Sequence, residues 1–293
     1  MFRIKRVNNE DVKPVKFIDE VEDKRPIKGR DIFPEIYGNI FFCARKKSGK
    51  SCGIYHIIKH CATRETRVIA FVATLHRDPT WRSIHKLCDS MKVDFTGYTS
   101  IKDPETKEDI LDTIVKSLEQ TIEEKAPLRE EREPINLLMT DLRFQHGAGK
   151  KKVKPKPPKE RAPKYIFVFD DLSGELQTPS FTAFLKKNRQ FKAKTIIASQ
   201  YWNDIALQAR KQLDYVLLYR GLKESKDKMQ EIHRNCDLAV SFEVFEALYR
   251  FATSKKFHFL YINVVESTFR KDFTHAIDVP KEEDDDEEPE REL

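Results

Sequence analysis

No apolar run in this chain of 293 residues approaches the roughly 20 needed to cross a bilayer. The opening stretch "MFRIKRVNNEDVK" has no apolar segment of signal-peptide length. Both absences lead us to expect a protein of the cell interior. Cysteine is scarce: Cys43, Cys52, Cys61, Cys88 and Cys236 are the five, and no C-x-x-C pair occurs. An odd set at irregular spacing argues against a disulfide framework and for reduced thiols. No internal repeat is visible. No Ser, His and Asp stand in a local pattern that would mark a nucleophilic hydrolase.

What is present is charge. Charged residues make up 35% of the chain against 39% hydrophobic, so a heavily solvated surface surrounds a core of ordinary size. The net charge of +6 is unevenly spread. The tail "KEEDDDEEPEREL" (281–293) carries −7, which leaves +13 on the other 280 residues. A body of that sign attracts polyanions, nucleic acid first among them. The tail reads as a disordered acidic segment, either a shield for that surface or a solubilising run.

Short continuous apolar runs punctuate the chain. "NIFFCA", "RVIAFVAT", "YIFVFDD", "AKTIIASQ", "YVLLYR" and "FHFLYINVV" read as buried strands, and "KPVKFID" as an edge strand. Helical stretches lie between them. One follows residue 49, one starts after Pro79, and one has Ile110, Ile114, Leu118 and Ile122 at a spacing of four. Strands that are apolar throughout, alternating with helices, predict an α/β fold with a mostly parallel sheet and helices on both faces. "GAGKKKVKPKPPKERAPK" (147–164) holds eight bases and four prolines, so it is expected to be a flexible basic loop. With it, residues 100–164 read as an insertion into the core fold.

The first apolar strand runs into "ARKKSGKS", the pattern A-x-x-x-x-G-K-S. The pattern alone arises by chance in about one chain of this length in fifty, so its context decides. Here it follows a strand and opens a helix, which is the arrangement a phosphate-binding loop requires. Gly49 lets the backbone turn tightly and approach an anion, and the helix presents its positive end. Lys50 would reach the outer phosphates and the Ser51 hydroxyl would bind Mg2+. The loop from Ala44 through Arg45, Lys46, Lys47, Ser48, Gly49, Lys50 and Ser51 to Cys52 is thus the candidate nucleotide cradle. The three bases in its middle are expected to point to solvent, since such a loop binds through its backbone.

A second half-site is expected at the end of an apolar strand, and "YIFVFDD" supplies it. Asp170 would hold Mg2+ and Asp171 would act as general base on the attacking water. Aspartate is a methylene shorter than glutamate, and Glu175 is the nearest acid that could assist. Gln200, at the end of "TIIASQ", could orient water or sense the terminal phosphate. Cys52, His56 and His60 share one helix face at i, i+4 and i+8, a spacing compatible with zinc. We expect them to be packing residues instead, because that helix should lie in the core.

In order, "FFCARKKSGKS", "YIFVFDDLSGEL", "FLKKNRQFKAKTIIASQ", "ALQARKQLDYVLLYRG" and "ATSKKFHFLYIN" resemble the poxvirus-type genome-packaging ATPases of large DNA viruses, virophages and related elements. These belong to the FtsK/HerA superfamily. The resemblance covers about residues 34–265, apart from the insertion. It implies a RecA/FtsK-like P-loop NTPase core of the ASCE type, in which the strand carrying the glutamine separates the phosphate-loop strand from the acid strand. It implies ATP and Mg2+ as cofactors. It also implies double-stranded DNA as partner, a homo-oligomeric ring (pentamer or hexamer) and a capsid or portal-vertex protein as docking site. The setting would be a host-cell virus-assembly site, cytoplasmic or nuclear, with association to the virion. An arginine from a neighbouring subunit completes such sites, and by position Arg210 and Arg189 are the candidates, Arg210 ahead of Arg189. The family often has His after the Asn-Arg element, where this chain has Gln190. Two other readings stand beside the packaging motor: a HerA-like DNA helicase or repair translocase, and a nucleotide-gated module that tethers DNA. The expected organisation is an N-terminal extension (1–33), an ATPase domain (34–280) carrying the insertion, and the acidic tail.

Overall fold

A computed structural model describes residues 23, 25–103, 105–125, 159–172, 174–221 and 226–279. The expected edge strand at 13–19, the core of the basic loop and the acidic tail lie outside the described residues. Among the described residues, no helix is long and apolar enough to cross a membrane.

The predicted runs become β1 (Gly38–Cys43), β2 (Arg67–Val72), β4 (Tyr165–Asp170), β5 (Ala193–Ser199), β6 (Tyr215–Tyr219) and β7 (Phe259–Asn263). Three strands are additional: β3 (Asp94–Tyr98), β8 (Thr268–Lys271) and β9 (His275–Ile277). All nine form one sheet in the order β3-β2-β4-β5-β1-β6-β7-β8-β9. The first six in that order run parallel. The last three close one side as an antiparallel meander. The parallel part carries the long, wholly buried strands, as expected where helices cover both faces.

Seven helices are described: α1 (Lys50–Cys61), α2 (Pro79–Met91), α3 (Ile110–Lys125), α4 (Pro179–Lys186), α5 (Leu207–Arg210), α6 (Lys226–Asn235) and α7 (Phe242–Ala252). Alternation along the strands divides the core into two layers. Ile40 and Phe42 of β1, with Ile166 and Val168 of β4, meet Ile54, Ile57 and Ile58 of α1 and Trp81 and Ile84 of α2. Phe41, Phe167 and Phe169 point the other way, toward Phe181 and Phe184 of α4 and Phe245 of α7. Each of these phenylalanines is fully buried and contributes roughly 2–3 kcal/mol relative to exposure.

The four-residue isoleucine spacing does form α3, and Ile110, Ile114 and Leu118 lean on the second layer. Ile101 and Leu111, at the start of the expected insertion, are wholly buried there. Glu175 ties this segment down by accepting hydrogen bonds from the Ile101 N–H at 2.5 Å and the Ser100 hydroxyl at 2.9 Å.

Candidate nucleotide-binding site

The sheet order places the site. β5 lies between β1 and β4, with Cys43 opposite Ser199 and Ala198 opposite Asp170. The carboxyl ends of these three strands therefore carry, side by side, the phosphate loop, Gln200 and the two acids. The expected separation of the acid strand from the phosphate-loop strand by the glutamine strand is what the structure has.

The loop leaves β1 at Ala44, which is buried and whose N–H donates to the Ser199 carbonyl at 2.9 Å. Lys47 and Gly49 both take the left-handed conformation, at φ 60° and 99°. Gly49 is the residue before the first turn of α1, and no side chain caps that turn. No acid lies in the turn either. Unsatisfied N–H groups at the positive end of a 12-residue helix are thus left for an anion. Arg45, Lys46 and Lys47 are exposed, as predicted, and they edge a cleft of about 650 Å³ that Gly49, Lys50, Ser51, Cys52 and Asp171 also line.

Lys50 is buried and stands between the two acids. Its Nζ lies 2.9 Å from Asp170 Oδ1 and 2.5 Å from Asp171 Oδ1. Asp170 is buried at the end of β4, and its second oxygen accepts the indole N–H of Trp81 at 3.2 Å. Asp171 turns out of the strand at φ 56°, a conformation aspartate tolerates better than most residues. Its N–H donates to the Ala198 carbonyl at 3.1 Å. Burial raises the Asp170 carboxyl above the usual carboxylate range, and the adjacent Lys50 charge offsets this only in part. Burial also pulls the Lys50 ammonium down, but Asp170 and Asp171 more than reverse that and leave it raised. Burial thus decides the direction for Asp170, while the neighbouring carboxylates decide it for Lys50.

Among the described residues, no group of three or more His, Cys, Asp or Glu could hold a metal ion without other ligands. The oxygens of Ser51 and Asp170 suit Mg2+, which keeps several waters and takes the rest of its shell from phosphate. The Ser48 hydroxyl is buried without a hydrogen-bond partner, inside the loop that would wrap an anion.

The two arginines differ sharply. Arg210 is only 9% exposed; its Nη1 lies 2.6 Å from Glu231, its Nε donates to the Ile205 carbonyl, and its guanidinium lies 5.7 Å from the Trp202 ring centre. Arg189 is 64% exposed, in the turn before β5, with Glu35 at 3.3 Å and Asp214 at 3.7 Å. That turn is at the amino end of the sheet, about 20 Å of strand away from the phosphate loop. Neither arginine lines the cleft of its own subunit. Glu175, the acid nearest in sequence to Asp171, is engaged with Ser100 and Ile101 instead. Cys52, His56 and His60 are exposed rather than core residues, because α1 packs on the sheet through Ile54, Ile57 and Ile58 and turns this other face to solvent. No sequence pattern announces the Trp81 contact, because no spacing rule connects a tryptophan in α2 to an acid about ninety positions later.

Taken together, sheet order and loop define an α/β fold of the P-loop NTPase type. No family model matches the sequence, and no curated protein matches it. Among solved structures, the genome-packaging NTPase B204 of Sulfolobus turreted icosahedral virus 2, in complex with AMP, is similar over 81% of this chain and 98% of that one. Identity is 15% and the TM-score 0.50. The same protein with AMPPCP is similar over 81% and 98%, at 15% identity and a TM-score of 0.48. ATPases 2 and 3 of EccC from Thermomonospora curvata align over 83% of this chain and 37% of that one, at 11% identity and a TM-score of 0.41. At 15% identity, the likeness to the AMP complex establishes the fold alone.

Proposed function

We propose that this chain is an ATP-driven motor that moves double-stranded DNA into a preformed viral capsid. The observation that carries the reading is Lys50 held between Asp170 and Asp171 beneath an uncapped helix start, with the Gln200 strand between loop and acids. Ser51 and Asp170 would hold Mg2+, which would neutralise charge on the phosphates of ATP. Lys50 would turn from the acids to the outer phosphates, and Asp171 would take a proton from the attacking water. Gln200, at the strand tip between them, orients that water.

Support for the packaging role comes from the motif resemblance and from the likeness in fold to a genome-packaging NTPase. The basic body suits sequence-independent contact with DNA phosphates, which weakens steeply with salt. In a ring of identical subunits, an arginine from the neighbour would stabilise charge on the transferred phosphoryl group. Arg189 suits this role better than Arg210, because it is exposed and Arg210 is occupied within its own subunit. A capsid or portal-vertex protein would dock the ring at the site of virus assembly inside the host cell.

The test is steady-state ATP hydrolysis with and without long duplex DNA, for the wild type, Lys50→Ala and Asp171→Asn. Stimulation by duplex and loss of turnover in both variants are expected. Tight ATP binding with background turnover on every DNA tried would overturn the motor reading in favour of a nucleotide-gated tether. Strand separation on forked DNA would favour a helicase.

A further inference from the structure

Phe257 is the residue the proposed chemistry leaves unexplained. It is 59% exposed, yet it takes the left-handed backbone conformation at φ 70°. For a bulky aromatic residue that conformation is strained, and such strain concentrates where a side chain is held for a purpose. Its ring lies against the phosphate loop: a Cβ added at Gly49 would stand 3.4 Å from it. Lys256 Nζ lies 4.8 Å from the ring centre. Phe257 lines the large cleft and also a second one of about 340 Å³, which continues past the loop to Arg220 and Gly221.

The sheet order gives a bound nucleotide its direction. The terminal phosphate belongs at Lys50, Asp170 and Asp171, on the β4 side of β1. Ribose and base must therefore extend the other way, over β6 and β7. Tyr219 at the end of β6 pairs with Phe259 at the start of β7, so residues 220–221 and 256–257 meet at the phosphate-loop end of the sheet. Two strand spacings separate β1 from β7, about 10 Å, the scale of the span from a β-phosphate to a base. Gly221 serves this corner too. At φ 142° it lets the Arg45 side chain pass so close that a Cβ would stand 2.8 Å from Arg45 Cδ, and Arg45 forms part of the smaller cleft's wall.

We infer that Phe257 is the stacking platform for the base of the nucleotide whose phosphates the loop holds. The inference rests on the nucleotide-binding reading above and extends it to the end of the ligand that the motif does not describe. An exposed ring of fixed backbone offers a flat apolar face at low entropic cost, and base–aromatic stacking tolerates any base.

Equilibrium binding of ATP and of inorganic tripolyphosphate, both with Mg2+, separates the two ideas. The variants are Phe257→Ala, Phe257→Gly and Phe257→Trp. Glycine relieves the backbone strain, so that variant should fold at least as well as the wild type while losing the ring. ATP affinity is expected to fall roughly ten-fold or more in the alanine and glycine variants and to stay within about three-fold in the tryptophan variant. Tripolyphosphate affinity is expected to be unchanged in all three. Wild-type ATP affinity in both ring-less variants would overturn the inference and leave the phosphate-loop reading intact. So would equal wild-type affinity for ATP and tripolyphosphate. A wild type that binds neither would sink the nucleotide-binding reading together with the inference built on it.

Discussion

The indole N–H of Trp81 donates to Asp170 Oδ2 at 3.2 Å, from the third residue of α2 to the last residue of β4. That bond fixes one carboxylate oxygen, while Lys50 and, on our proposal, Mg2+ compete for the other. Groups that orient a metal ligand from behind typically matter ten- to a hundred-fold to metal affinity or activity. Trp81→Phe keeps most of the ring and removes the donor. It is expected to lower Mg2+-dependent ATP turnover about ten-fold, with a stability loss of about 1 kcal/mol. Turnover as a function of Mg2+ concentration and denaturant melts would show this; wild-type turnover would mean the bond is only structural.

Cys52 is the exposed thiol beside Ser51, on the wall of the cleft proposed to take the nucleotide. Burial pushes Cys43 and Cys236 up to about 12 and Cys88 up to about 11, and it raises buried Cys61 as well. Native protein is expected to lose one thiol quickly to a thiol-reactive disulfide, and ATP with Mg2+ should slow that reaction about ten-fold. Mass mapping of the labelled cysteine checks it. Labelling indifferent to ATP would place the nucleotide elsewhere.

The arginines should separate folding from turnover. Arg210→Ala strands Glu231 and removes a cation packed near Trp202, so a loss of about 2 kcal/mol in stability is expected. Arg189→Ala cuts an exposed ion pair with Glu35 and a longer 3.7 Å contact with the mostly buried Asp214, so a stability loss of no more than about 1 kcal/mol is expected. Its effect is expected on turnover, at least a hundred-fold, and wild-type-like activity should return in part when Arg189→Ala subunits are mixed with Lys50→Ala subunits. A mixture as inactive as either parent would argue against a trans role.

Lys194 gives a pH signature. Burial lowers its pKa from 10.5, and its ammonium donates to the Glu35 carbonyl at 2.9 Å. The folded state therefore binds fewer protons than the unfolded state between the lowered value and 10.5. The cost of the buried charge is full below the folded pKa and is relieved as pH rises through this window, so stability increases with pH there. Relative to Lys194→Met, the wild type is expected to gain stability as pH rises toward 10. Parallel stability–pH curves for the two proteins would refute this.

The parts of the fold visible in the sequence are those whose residues face apolar surroundings on both sides. β1, β4 and β5 are apolar nearly throughout because helices cover both faces of the sheet there. β3, "DFTGY", shows no such run because it lies at the sheet edge and is mostly exposed; its pairing with β2 makes it a strand. β8 and β9, of four and three residues, are held by the meander rather than by propensity. The phosphate loop and the two acids were legible because their chemistry sits on adjacent residues. The Lys50 bridge to those acids and the Trp81 contact were not, since each joins elements about a hundred positions apart.

By itself, then, the sequence determined the alternation of strands and helices, the loop that can hold a phosphate and the acids that can serve it. These are local matters of periodicity, turn chemistry and residue type. Tertiary structure decided the rest. It set β5 between β1 and β4, buried Arg210 while leaving Arg189 in solvent, and turned Cys52, His56 and His60 outward. It also brought Phe257 to the phosphate loop. The reason is physical: which side chains meet across a sheet depends on strand order, and strand order is settled by the packing of two whole layers of core rather than by any short stretch of chain.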